Sequence, residues 1–261
     1  ARWKACLEGS GEIDLSRVSK LAEHQLLWSK DKLSSKMVSF FASKALSSRM
    51  QAVPRNDRPA VFQDPAFKGA LYQLDEPVLD IPSLMSVMVE KWHDRMLAVP
   101  ETAEYQWQKS GDRIDALLVG EQFDIKAQAF VLTSGEGAGN ILKSLHLDKP
   151  AMQKRPLQML LCKSTQEDQP LPVIYAHSLG SGSKPIATIS SHRDITGNIV
   201  WYIGGNIAEE GVGKSREVLI NEARTLLADI LPWVKLPELE WATHPVNRAE
   251  PRQSSLNRPD T

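Results

Sequence analysis

The chain of 261 residues has only two cysteines, almost no net charge and no long apolar run. Each shortage removes a class of protein. Cys6 and Cys162 lie far apart, and neither has a second cysteine at metal-ligand spacing, so the pattern reads as two reduced thiols in a cytoplasmic protein. With 31 basic against 32 acidic residues there is no field to attract nucleic acid or an anionic membrane surface. Every apolar stretch is broken by Lys, Glu, Asp or Gln well before the ~20 residues that a membrane-spanning helix needs. The six histidines are scattered, with no His-Glu-x-x-His or comparable array, so no metal site is expected. No Gly-x-Ser-x-Gly elbow is present and Cys162 has no base at a motif spacing, which leaves covalent hydrolytic chemistry without support.

What is present is an ordinary globular balance, 42% hydrophobic and 24% charged, in a chain long enough to bury a core without staples. Its clearest stretch runs from Asp194 to Leu231. Ile199-Val200-Trp201-Tyr202-Ile203 reads as a strand halted at Gly204-Gly205. From Ser215 the period changes: Val218, Leu219, Ala223, Leu226, Leu227 and Ile230 fall on one helical face, with Ser215 as cap and Pro232 as limit.

Upstream, the first fifty residues read as helical, one stripe running from Leu15 to Trp28 behind Asp14 and a second through Met37, Phe40, Phe41 and Leu46. The lysines of 30–44 read as a solvated helix face. A proline-rich connection follows, with one strand candidate at Gly69 to Leu74. Asp80 and Pro82 then signal a helix carrying Leu84, Met88, Trp92 and Met96. Glu104 to Trp107 and Ala116 to Val119 read as a hairpin, Ile125 to Thr133 as an apolar segment ending in a glycine loop, and Asn140 to Leu145 as a small helix. Leu157 to Lys163, Val173 to His177, Ile186 to Ser190 and Val200 to Ile203 are strands with connections too short for parallel crossovers, so their sheet is antiparallel. There is no internal repeat and no low-complexity tract.

Two segments imitate phosphate loops. Ala208 to Ser215 ends in Gly-Lys-Ser between a strand and a helix, but Ala208 replaces the first glycine and Glu209 and Glu210 put negative charge where donors belong. Gly135, Gly137 and Gly139 lack dinucleotide spacing, with Asn140 in place of the third glycine and no acid about twenty residues later. Trp201 and Trp241 read first as packing residues.

The order of elements is more informative than any one of these motifs. From about Gly69 to Arg258 it resembles the FAD-dependent D-amino-acid oxidase and glycine oxidase superfamily. The likeness is carried by Glu76 to Leu84, the strand end Phe130 to Gly137, Lys154 to Met159, and Tyr202-Ile203-Gly204-Gly205. The resemblance implies FAD as cofactor and a small amine or amino acid as substrate. It implies that Thr133, Ser134 and Gly135 form a turn close to the flavin, that Gln158 lies beside it, and that Arg155 opens the substrate-domain sheet near it. Tyr202 and Arg248 would contact the substrate, Arg248 standing nearest to the position of the family's carboxylate-binding arginine. A planar guanidinium suits that task because its fork grips a carboxylate with two parallel hydrogen bonds. The family's opening Gly-x-Gly-x-x-Gly element is missing, so the resemblance reads the chain as an interior piece that by itself binds FAD poorly.

The expected fold class is therefore α+β, a largely antiparallel mixed sheet with flanking helices forming a substrate domain, plus a remnant of an FAD-binding α/β domain. The expected division is a helical segment at 1–60, a substrate domain at 61–79 and 152–250, a partial FAD-binding domain at 80–151, and a tail at 251–261. Two other readings stand beside the oxidoreductase: a non-catalytic binding or assembly module with tryptophan-rich surfaces, and a nucleotide-binding protein using Gly211 to Ser215.

Overall fold

The computed structural model describes residues 2–30, 50–180 and 184–252, and its chain divides into two compact units. The first unit comprises Ala1–Lys91 and Leu157–Val246, and the second Trp92–Pro156 and Asn247–Thr261. In chain order the elements are α1 (Arg2–Leu7), β1 (Lys20–Ala22), β2 (Leu26–Ser29), β3 (Met50–Ala52), α2 (Ala60–Gln63), β4 (Ala70–Leu74), β5 (Val78–Leu79) and α3 (Ile81–Trp92). They continue with β6 (Tyr105–Ser110), β7 (Arg113–Val119), β8 (Phe123–Ile125), α4 (Ala138–Ser144), β9 (Met152–Ser164) and β10 (Tyr175–Leu179). The last are β11 (Pro185–Arg193), β12 (Ile199–Gly204), α5 (Asn206–Glu210), α6 (Arg216–Ile230) and β13 (Leu239–Pro251).

An eight-stranded sheet in the order β13-β9-β12-β11-β10-β2-β4-β3 dominates the first unit. The pairings β9–β12, β12–β11, β11–β10, β2–β4 and β4–β3 are antiparallel, and β10–β2 is parallel. The class is thus α+β with a largely antiparallel sheet.

One sheet face is closed by α6, which turns Leu219, Ala223, Leu227 and Ile230 onto Leu160, Cys162, Trp201, Ile203 and Ile189. Successive strand residues point to opposite faces, so these buried positions leave their neighbours for the other side. The indole of Trp28 is wholly buried and donates to the Ile230 carbonyl at 3.2 Å, while that of Trp201 donates to the Pro172 carbonyl at 2.7 Å. A buried indole needs such an acceptor, since an unmatched N–H in the core costs about 1–3 kcal/mol. Phe62, Phe67 and Trp233 extend the core as an aromatic cluster, with Phe67 and Trp233 centroids 4.6 Å apart.

The expected helix from Leu15 to Trp28 is not formed. β1 and β2 occupy its second half, and among the described residues before β3 the helix is α1. All four residues of β2 are buried because the strand lies between β10 and β4 with side chains packed on both faces, and a continuous apolar run of that kind has no period to read. Within the expected helical segment at 1–60 the described residues hold a third strand, β3, at the edge of the sheet. The helix through Met37 and Leu46 and the lysine face of 30–44 fall, apart from Lys30, outside the described residues.

The second unit contains the three-stranded sheet β6-β7-β8 and α4. The expected hairpin is present with longer arms, Ser110 pairing with Arg113 across the turn. The apolar segment expected to be extended to Thr133 behaves differently: the strand ends at Ile125, residues 126–134 have no regular structure, and Val131 is 84% exposed. An apolar strand needs a neighbouring strand to satisfy its backbone, and among the described residues this segment has none.

Candidate active site

The face of the large sheet turned away from α6 displays imidazole, phenol and hydroxyl side chains. Register places Tyr175, Ser190, Tyr202 and Leu161 in one row across β10, β11, β12 and β9. His177, Thr188 and Gly204 form the next row, and His192, Val200 and Lys163 a third. Every second residue of β11 faces the core as Ala187, Ile189 and Ser191, so the intervening Thr188, Ser190 and His192 are displayed on this side by the pleat alone.

These groups are tied together. His177 Nδ1 lies 2.7 Å from Thr188 Oγ1, and His192 Nε2 lies 3.1 Å from Ser190 Oγ, the direction of each bond following the tautomer. The ring of Tyr202, 40% exposed, stands 4.6 Å from the His192 ring with planes at 69°. Burial holds His192 below the ordinary histidine value, against a weaker upward pull from Asp80. Tyr175 is raised, chiefly by burial, with Arg193 opposing and Asp80 reinforcing. Asp80 also accepts the Ser83 N–H at 3.1 Å and so holds the start of α3. The result is a half-buried platform with imidazole and phenol groups at its centre.

Of the residues singled out from sequence, Tyr202 lies on this platform. Gln158 does not: it shares the alternation of Leu160 and Cys162 on the helix-covered side, where Gly211 is its neighbour. Thr133, Ser134 and Gly135 belong to the second unit, at the exposed entry to the turn that precedes α4. Gly135 has φ +54° and open space where a side chain would be, a backbone that a ligand can approach closely. Arg155 and Arg248 are half-buried in the second unit, and Arg155 pairs with Glu250 at 3.4 Å. The neighbouring Glu136 is held below the ordinary carboxyl value by hydrogen bonds from Lys154 and Asn247. Sequence reasoning missed His192, Ser190, His177 and Tyr175. Their only signal was alternation within β10 and β11, once the core-facing residues of those strands were assigned.

The Gly-Lys-Ser imitation is closed. Ala208 is fully buried in α5, and Lys214 donates to both carboxylate oxygens of Glu222 at 2.9 and 2.8 Å. Among the described residues no group of three or more His, Cys, Asp or Glu could hold a metal ion, and no helix is long and apolar enough to cross a membrane.

No protein-family model matches the chain. It is 42% identical over 268 residues to a probable FAD-dependent oxidoreductase, PA4991, of Pseudomonas aeruginosa, covering 99% of this chain and 64% of that protein. The crystal structure of PA4991 superposes with a TM-score of 0.82 at 38% identity, again over 99% of this chain and 64% of that one. The likeness is to FAD-dependent oxidoreductases. The chain thus spans 64% of the length of the relative it matches. L-proline dehydrogenase from P. horikoshii shares the fold at 12% identity and TM-score 0.61, over 97% of this chain and 65% of that one. Glycine oxidase from Bacillus cereus does so at 10% identity and TM-score 0.53, over 89% and 63%. These two establish the fold alone.

FAD asks two things of a protein: backbone donors for its pyrophosphate, and a surface against its flat ring system. The platform of β9 to β12 suits the second demand, with aromatic, hydroxyl and imidazole groups on a half-buried sheet face. Among the described residues the first demand is not met by a dinucleotide-type glycine loop, since Gly211 to Ser215 is closed by its own ion pair. Among the described residues it is the ring side of the cofactor that a surface suits, and no dinucleotide-type glycine loop accompanies it.

Proposed function

We propose that this chain is the substrate-side portion of an FAD-dependent oxidoreductase that oxidises a small amine or amino acid. The observation that carries the reading is the 42% identity with PA4991 along 99% of the chain. The printed activities of the proline dehydrogenase and the glycine oxidase, whose folds are similar, support the substrate class.

In this reading Tyr202, Arg248 and Arg155 are the residues assigned to substrate binding, the arginines because a guanidinium can grip a carboxylate. Thr133, Ser134 and Gly135 are the residues assigned to the cofactor, through backbone groups of an exposed turn; Gln158, which the resemblance set beside the flavin, lies on the other face of the sheet. The segments 61–79 and 152–250 would act as substrate domain and 80–151 as part of the cofactor domain. The chemistry that FAD supplies when bound is acceptance of a hydride from the carbon bearing the amine. The protein's own task is to hold the amine and carboxylate so that this carbon is correctly presented, and to keep water away from it. Two unpaired thiols agree with a reducing compartment.

The test is anaerobic mixing of the full-length flavoprotein with a panel of amines and amino acids, read as loss of the visible flavin band. Replacing Arg248 by Ala should raise KM for carboxylate substrates by roughly 10- to 100-fold, the size of a lost charge-assisted hydrogen bond, and should leave amines without a carboxylate unaffected. An unchanged KM for amino acids would remove Arg248 from the site.

A further inference from the structure

We propose that His192, held by Ser190 and stacked edge to face with Tyr202, takes up the proton that a substrate ammonium group must lose before oxidation. The inference rests on the functional reading above and assigns a role that none of the sequence motifs suggested.

The chemistry creates the need. An alkyl amine is an ammonium ion at neutral pH, its value lying near the ~10.4 of a lysine side chain. Its nitrogen has no free electron pair until an N–H bond breaks. When His192 takes that proton, the pair from the broken bond stays on nitrogen and becomes the second C–N bond as the hydride leaves the α-carbon for the flavin. Substrate loses one proton and one hydride, imidazole gains the proton, and FAD is the oxidant.

Two imidazoles stand on the platform, His177 and His192, and His192 is the one in ring contact with Tyr202. Lys163 is paired with Asp194 and Glu240, and Arg193 donates to the Gly197 carbonyl at 2.7 Å. Asp80 accepts the Ser83 N–H, and His177 Nδ1 is tied to Thr188. His192 uses Nε2 toward Ser190, and its Nδ1 bonds to no protein group among the described residues. Burial lowers its value from the ordinary histidine one, with Asp80 pulling more weakly upward. The ring of Tyr202 stands edge to face with the imidazole at 4.6 Å. An imidazole held in place by one nitrogen, with the other left for the substrate, is the commonest form of general base.

The experiment uses the full-length flavoprotein and 2-aminoisobutyrate, an amino acid with no α-hydrogen, which can bind and lose a proton but cannot be oxidised. In the free protein the His192 imidazole signal should titrate below the ordinary histidine value. On binding 2-aminoisobutyrate the His192 signal should shift and its titration midpoint should change. His192→Gln should lower kcat/KM for an oxidisable amino acid by about 10²- to 10⁴-fold and remove the acid limb of its pH profile, while Ser190→Ala should shift that limb. A His192 signal and midpoint unmoved by binding, or an acid limb that survives in His192→Gln, overturns the assignment. A wild-type protein whose flavin no amine reduces would instead overturn the functional reading itself, so the two failures are distinguishable.

Discussion

Cys162 and Cys6 make the simplest residue-scale contrast. Cys162 is 2% exposed, and burial pushes its thiol up to about 12, whereas Cys6 is half-buried. The reactive species is the thiolate, so a maleimide or disulfide reagent should modify Cys6 alone in the folded protein and both thiols after denaturation. Two reacting thiols in the folded protein would contradict the packing of β9 against α6. Gly205 tests the bend after β12. Its φ of +88° with ψ of −151° lies in a region that only glycine occupies readily, and an added Cβ would stand 3.0 Å from the Ala187 Cα. Gly205→Ala should therefore cost at least about 1–3 kcal/mol in urea unfolding, and an unchanged midpoint would refute the geometry. The bend was legible from Gly204-Gly205 alone, and so was the packing role of Trp201. Trp28 was misplaced, because a fully buried strand and a buried helical stripe present the same apolar letters.

At the scale of the element, α6 shows why some parts of the sequence were readable. Its apolar residues recur at helical spacing, and Ser215 Oγ accepts the Val218 N–H at 3.4 Å, so local propensity, cap and burial agree. Ser215→Ala should cost about 1 kcal/mol in unfolding free energy with no change in flavin properties. The strands β9 to β12 were legible for the same reason, since each alternates between a covered and an open face. The segment 126–134 was not, because its apolar letters describe a strand for which the described residues supply no neighbour.

The turn joining β11 to β12 gives an element-scale pH prediction. Asp194 accepts from the Thr196 hydroxyl at 2.6 Å and from the backbone N–H groups of Thr196 and Asn198 at 2.9 and 3.0 Å. These bonds, the Thr196 side chain first, hold its carboxyl below the ordinary aspartate value. A carboxyl lowered on folding stabilises the native state above its unfolded value and loses that contribution as pH falls through the folded one. The melting temperature should drop on acidification below about pH 4, the unfolded value, and Asp194→Asn should flatten that dependence. Equal slopes in the two proteins would show that the turn contributes nothing there.

For the whole molecule, the legible and illegible portions follow a physical division. The antiparallel sheet with α6 across one face was readable because its core lies within the chain and its patterning is self-consistent. The histidine and serine groups of the open face were not, since a polar residue on a strand looks the same whether it meets water or a ligand. The likeness to PA4991 extends over 64% of that protein, and the described residues provide a ring-side platform without a dinucleotide-type glycine loop. The isolated chain should accordingly retain little FAD after desalting, and the full-length protein should retain it. The most direct test of the account is the visible spectrum of that full-length protein, loaded with FAD, desalted and then mixed anaerobically with small amines and amino acids. The account predicts a retained flavin band that at least one of them bleaches. A colourless protein, or a band unchanged by all of them, would contradict it.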